Sequence, residues 1–86
     1  MDYKTKIQLE QTIKQQNREL IQDVLNDTED LGPFQGAMVS MALNNAKETV
    51  LSNLLPICNS INSTPAEIKS WLDELFKHEL KEYGVL

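Results

Sequence analysis

The chain has 86 residues, a net charge of −5 at pH 7 and a sequence pI near 4.7. This length fits one domain with a modest core, and the acidic balance weighs against non-specific nucleic-acid binding and anionic membrane surfaces. A single cysteine excludes an internal disulfide, and no apolar run approaches the ~20 residues of a membrane span, so we expect a cytoplasmic protein.

The first predicted element is a long helix over residues 3–27, which contains no glycine or proline. Four apolar residues form a seam along this helix: Leu9, Ile13, Leu20 and Val24. Gln16 occupies the seam position at the middle, within a run that is polar on all sides. Because an isolated helix is only marginally stable in water, something must cover Leu9 and Ile13. We interpret residues 1–31 as an interaction arm that pairs with another molecule, and coverage by the last helix is the alternative.

Acidic residues recur near the end of this helix at close to helical spacing: Glu19, Asp23, Asp27 and Asp30. Successive carboxylates on such a stripe are about 6 Å apart along the axis, which resembles phosphate spacing. The functional interpretation is a surface that occupies a basic groove on a partner. The simpler interpretation is a solvated helix face.

A second helix is predicted from about Pro33 to Leu51, after a polar linker. It has two apolar ridges. The first comprises Val39, Leu43, Ala46, Val50 and Leu54, and the second comprises Phe34, Met38, Met41 and Ala42. A helix that is apolar on most of its circumference is usually central. We therefore predict that the second helix is central, with the end of the first helix and residues 53–83 packed around it.

The last helix has the clearest boundaries in the chain. Thr64 and Glu67 form a capping box around Pro65 at the first helical position, and Gly84 is predicted as the residue that ends the helix. The intervening apolar residues form one stripe: Ile68, Trp71, Leu72, Leu75, Phe76, Leu80 and Tyr83. We expect Trp71 to be largely buried against the second helix.

The residues before this helix show a pattern of a cap, apolar or small positions and a turn residue. Asn53 is a candidate N-cap for a short helix with Pro56 in its first turn, and apolar or small residues end that helix: Ile57, Cys58 and Ile61. Asn62 can adopt positive φ and so make the turn. Residues 53–72 therefore resemble the helix-turn-helix motif of repressor-type proteins, although Ser63 stands where that motif usually has an apolar residue.

The resemblance implies a recognition helix over residues 65–80. Thr64, Lys69 and Ser70 would then lie at the end of the helix that faces DNA. The acidic residues on the same outward surface, Glu67, Asp73 and Glu74, would meet phosphates unfavourably. Two short helices around a tight turn are also a common way to build a helical domain.

Catalytic chemistry has little support in this sequence. Cys58 is predicted to be a small buried residue, and His78 lies on the polar face of the last helix. Glu74, His78 and Glu82 share a helical spacing that could hold a metal, but a working site needs a further ligand. We therefore expect no enzyme activity, no metal or other cofactor, and no small-molecule substrate.

Together the patterns predict an all-α fold in one domain over residues 1–86. It is a small bundle of three long helices and one short helix, with a helical core at 33–84 and a helix-turn-helix-like C-terminal pair. We expect a small acidic, non-catalytic regulatory or inhibitory protein that binds a protein partner or a second copy of itself. The expected contact residues are Leu9, Ile13, Gln16, Glu19, Asp23, Asp27 and Asp30. The alternative is a transcription regulator that binds DNA through Thr64, Lys69 and Ser70.

Overall fold

The computed structural model describes residues 1–84, and this part of the chain contains helices and no strand. The three α-helices are α1 (Tyr3–Asp27), α2 (Gln35–Leu54) and α3 (Pro65–Glu82). Two 3-10 segments join them, Glu29–Phe34 and Leu55–Ile61. The predicted all-α class is confirmed.

The three helices run up, down and up along an elongated body of 44 × 19 × 19 Å. Two side-chain hydrogen bonds between α1 and α3 fix their relative direction. The Trp71 indole nitrogen donates to Glu10 Oε1 at 2.8 Å, and Asn17 Nδ2 donates to Glu79 Oε1 at 3.1 Å. Because both partners advance together along the chain, α1 and α3 are parallel, and α2 runs antiparallel to them.

Helix α1 begins at a side-chain cap, because Asp2 Oδ1 accepts from the Thr5 amide at 2.7 Å. This backbone hydrogen bond lowers the pKa of the Asp2 carboxyl from its ordinary value of 3.8. The buried seam of α1 is Ile13, Asn17 and Ile21. The predicted seam residue Gln16 is exposed, because the helix is turned so that its neighbour Asn17 points into the core.

The connection from α1 to α2 is tight. Thr28 is buried, and its hydroxyl donates to the Val24 carbonyl at 2.6 Å at the end of α1. Gln35 Nε2 donates to the Leu25 carbonyl at 3.2 Å, so the start of α2 also caps α1. Between them Gly32 has φ 54° and ψ −121°, a backbone conformation that bends the 3-10 segment and that side-chain-bearing residues rarely adopt.

Only one of the two apolar ridges of α2 is covered. The first ridge packs in the core, with Val39, Leu43 and Leu54 buried. The second ridge faces solvent: Phe34 is 70% exposed and Met41 is 58% exposed. Helix α2 contacts α1, α3 and both 3-10 segments, in line with the predicted central position, but α1 and α3 lie on the side of the first ridge and leave the second exposed.

The connection from α2 to α3 differs from the predicted short α-helix. Asn53 is inside α2 and exposed, so it is not an N-cap. The chain passes from Leu54 into the second 3-10 segment without leaving helical dihedral angles. Pro56 has no amide to continue the α-helical bonding pattern, so the backbone tightens instead of starting a new helix.

Helix α3 has the predicted ends. The Thr64 hydroxyl accepts from the Glu67 amide at 3.2 Å, and Gly84 follows the helix with φ 75°. Trp71 packs against the core but is only partly buried, because its indole nitrogen reaches the half-exposed Glu10 on α1. The buried stripe of α3 also includes Glu79, which the sequence pattern had omitted as a charged residue.

Candidate interaction face

The second ridge of α2 groups exposed apolar side chains on one side of the helix. Phe34, Met38 and Met41 follow one another at helical spacing, and Leu31 and Leu25 are also exposed near the same end of the bundle. Large apolar side chains grouped on a small protein typically mark a binding surface. We call Phe34, Met38 and Met41 the α2 ridge.

A groove runs beside this ridge, between α1 and α2. It consists of two adjoining cavities of 510 and 270 Å³ that share Ala42 and Asn45. Small side chains from α2 and apolar side chains from both helices line it: Leu20, Val24, Ala42, Ala46 and Val50. Met38 and Met41, together with Asp27, line the end of the groove that is nearest to the α1–α2 connection, which we call its lower end. We call this feature the α1–α2 groove.

The net charge of the protein lies in one segment of the chain, residues 19–46, which contributes side chains to this groove. Between residues 19 and 46 every charged side chain is acidic, namely Glu19, Asp23, Asp27, Glu29 and Asp30. The remaining eight acidic and eight basic residues balance, so this segment carries the whole net charge of −5. All five carboxylates are exposed. Of these carboxylates, Asp27 lines the groove itself, and it is the one charged residue among the lining residues.

The apolar residues that were expected to meet a partner belong largely to the core. Ile13 is buried at 4% exposure, and Leu9 is partly buried against the core cluster. Hydrogen bonds from α3 reach Glu10 and Asn17 on either side of Ile13, so α3 lies beside this part of α1, which is the alternative that the sequence left open. Within residues 1–31, Ile13, Asn17 and Ile21 are therefore part of the buried core. Gln16 is exposed and lines the upper end of the α1–α2 groove.

The helix-turn-helix-like unit has the expected turn but a different first element. Asn62 adopts the left-handed conformation with φ 52°. Ser63 is buried, and its hydroxyl accepts from the Met1 amino group at 3.0 Å. Lys69 and Ser70 are exposed on α3, and Ser70 borders a shallow 440 Å³ depression that Lys6 also lines. The element before the turn is the 3-10 segment described above.

The residues considered for catalysis are not grouped. Cys58 is buried and free, and His78 is exposed on α3. Among residues 1–84 no three His, Cys, Asp or Glu side chains are placed to hold a metal ion. Within the same range every buried side-chain nitrogen or oxygen atom has a hydrogen-bond partner.

The pair formed by Asn17 and Glu79 was not predicted. Asn17 is 2% exposed and Glu79 is 6% exposed, and their hydrogen bond crosses the α1–α3 interface. A signal was present, because Asn17 lies four residues after Ile13 and four before Ile21. The polar run that contains Asn17 predicts a solvated helix, and the predicted apolar stripe of the last helix does not include Glu79.

Comparisons with protein-family models, curated proteins and solved structures find no match for this chain. No helix within the described residues is long and apolar enough to cross a membrane.

Proposed function

We propose that this protein is a small, acidic, non-catalytic regulator that acts by binding a protein partner through the α2 ridge and the α1–α2 groove. The observation that carries the proposal is the exposure of the α2 ridge, in which Phe34 and Met41 are 70% and 58% exposed. Side chains that pack in the core would not be exposed to this extent. Burying them on a partner would remove a large apolar area from solvent.

The composition of the face supports binding over catalysis. Phenylalanine and methionine are enriched at interfaces, and methionine adapts its shape to a partner. The depression beside the ridge is a groove lined by apolar side chains of α1 and α2, and neither histidine nor cysteine is among its lining residues. Glu19, Asp23, Asp27 and Asp30 add a negative border that favours a partner of positive charge.

A capture experiment with matched variants tests this function. The full chain is immobilised and exposed to an extract of the source cells, and bound proteins are identified by mass spectrometry. Phe34→Ser with Met41→Ser should abolish a captured protein without lowering the melting temperature, because both side chains are exposed. Leu55→Ser with Ile57→Ser is the control, since these residues are exposed in the second 3-10 segment, away from the groove.

Equal capture by the wild type and both variants would contradict the proposed face. Light scattering of the same proteins tests the homodimer form of the proposal. If the partner is a second copy, the wild type should have twice the chain mass and the variant of Phe34 and Met41 should have the mass of one chain.

The alternative function is DNA binding by the helix-turn-helix-like unit. It is supported by the left-handed Asn62, the capped start of α3 at Thr64, and the exposure of Lys69 and Ser70. Selection from a random duplex library at low salt tests it. A sequence should be enriched, and its binding should weaken on Lys69→Ala and fall steeply with salt. A library with no enriched sequence would leave the motif as architecture.

A further inference from the structure

We infer that the α1–α2 groove binds one amphipathic helix whose apolar stripe is bordered by Lys or Arg residues. This inference rests on the proposed protein-binding function and specifies the partner. The groove extends along α2 from Met38 to Val50, a length of about 18 Å at 1.5 Å per residue. That is roughly three helical turns, which matches the anchors that an amphipathic helix places on one face.

The side chains of the groove suit a helix as its occupant. Ala42 and Ala46 are small, so the backbone of an incoming helix can approach α2 closely. Leu20, Val24 and Val50 supply apolar walls. The two methionines at the lower end can adjust to the side chains that they meet.

The charge around the groove indicates which residues should border the apolar stripe of the partner helix. Asp23 and Asp27 lie one turn apart on α1, and Asp27 lines the groove itself. The basic residues nearest to them on α1, Lys14 and Arg18, lie on the opposite side of the helix by its periodicity. A helix with Lys or Arg beside its apolar stripe would therefore meet opposite charge from Asp23 and Asp27.

The same charge disfavours two other occupants. A second copy placed face to face would bring the acidic borders of both molecules together, and like charges across an interface are costly. A nucleic acid would bring its phosphates against carboxylates. The occupant to which the charge is complementary is a basic amphipathic helix.

Synthetic peptides test the inference with the full-length protein. The first peptide is an amphipathic helix with a leucine stripe and lysine flanks. The second keeps the stripe but carries glutamate flanks, and the third has the composition of the first in an order without a stripe. Binding is measured by fluorescence anisotropy of labelled peptides at low and moderate salt. We expect the first peptide to bind at least tenfold more tightly than either control.

Charge reversal locates the binding on the protein. Asp23→Lys with Asp27→Lys should weaken the first peptide at least tenfold. The control is Glu74→Lys with Glu82→Lys, which makes the same change in net charge on exposed positions of α3 and should alter binding less than twofold. Lysine near the C-terminal end of α1 favours the helix dipole, so loss of binding would not come from unfolding.

Two results would overturn the inference. One is equal binding of the lysine and glutamate peptides, and the other is equal weakening by both charge reversals. If the wild type nevertheless captures a cellular protein, and Phe34→Ser with Met41→Ser abolishes that capture, the proposed function stands. Only the helical, basic nature of the partner is then rejected. If that capture also fails, both are rejected.

Discussion

Asn17 and Glu79 form a polar contact between α1 and α3. Both side chains are buried, and each satisfies the other at 3.1 Å. Between two apolar helix faces such a pair favours one alignment, because sliding α1 along α3 would leave an amide and a carboxylate without partners. The sequence could not predict it, since periodicity assigns faces to helices but does not identify which polar residues meet across them.

Removing one member of this pair should be costly. Asn17→Ala leaves the Glu79 carboxylate buried without its donor, and we expect a loss of about 3 kcal/mol in the free energy of unfolding. Urea unfolding followed by circular dichroism measures this. Asn44→Ala, at an exposed position of α2, is the control and should be neutral or slightly stabilising. Equal effects of the two substitutions would show that the buried hydrogen bond contributes nothing specific.

The phenol of Tyr83 should make stability depend on alkaline pH. Partial burial raises the pKa of Tyr83 above its ordinary value of 10.0, and the charge of Glu79 acts in the same direction, against Arg18. The unfolded chain therefore releases this proton first. The stabilisation is complete below pH 10.0 and is lost as the pH rises through the folded pKa.

The measurement is urea unfolding of the wild type and Tyr83→Phe at about pH 8 and about pH 11. The wild type should lose more stability between these two conditions than the variant. Identical losses would show that other groups account for the alkaline sensitivity.

The first 3-10 segment depends on the backbone conformation of one residue. Gly32 has φ 54° and ψ −121°, and a Cβ there would have no heavy atom within 4 Å. Gly32→Ala should therefore cost roughly 1–3 kcal/mol through backbone strain alone. Thermal unfolding checks this value, and a wild-type melting temperature would show that the turn relaxes into another conformation.

The elements that could be predicted are those with strong local signals. The long polar run without glycine or proline gave α1 its bounds, and the capping box at Thr64 gave α3 its start. The second 3-10 segment could not be predicted, because Pro56 is compatible both with the first turn of a new helix and with the tightening of an existing one. Tertiary packing decides between them.

The α2 ridge stays exposed because α1 and α3 both pack on the side of the other apolar ridge of α2. The sequence correctly identified two apolar ridges on α2 and the acidic residues of α1. It could not show that α1 and α3 would both pack on the side of Val39 and Leu43 and leave Phe34 and Met41 exposed. That outcome depends on the arrangement of all three helices and has no local signal.

The uneven distribution of charge should control how fast a partner associates. Because residues 19–46 carry the whole net charge, a basic partner would be drawn toward the α1–α2 side of the molecule. For the lysine-flanked peptide we expect the association rate constant to fall about tenfold or more between low and moderate salt, with little change in dissociation. Stopped-flow mixing measures both constants. A salt effect confined to dissociation would contradict this expectation.

The parallel arrangement of α1 and α3 has a consequence for the order of folding. Each connection to α2 joins neighbouring helices locally, whereas the contact of Trp71 with Glu10 closes 61 residues of chain. Closing so long a loop costs more entropy than either local pairing. We expect α1 and α3 to meet only after at least one of them has paired with α2. Trp71 fluorescence in a refolding experiment should then reach its native value no earlier than the helical signal.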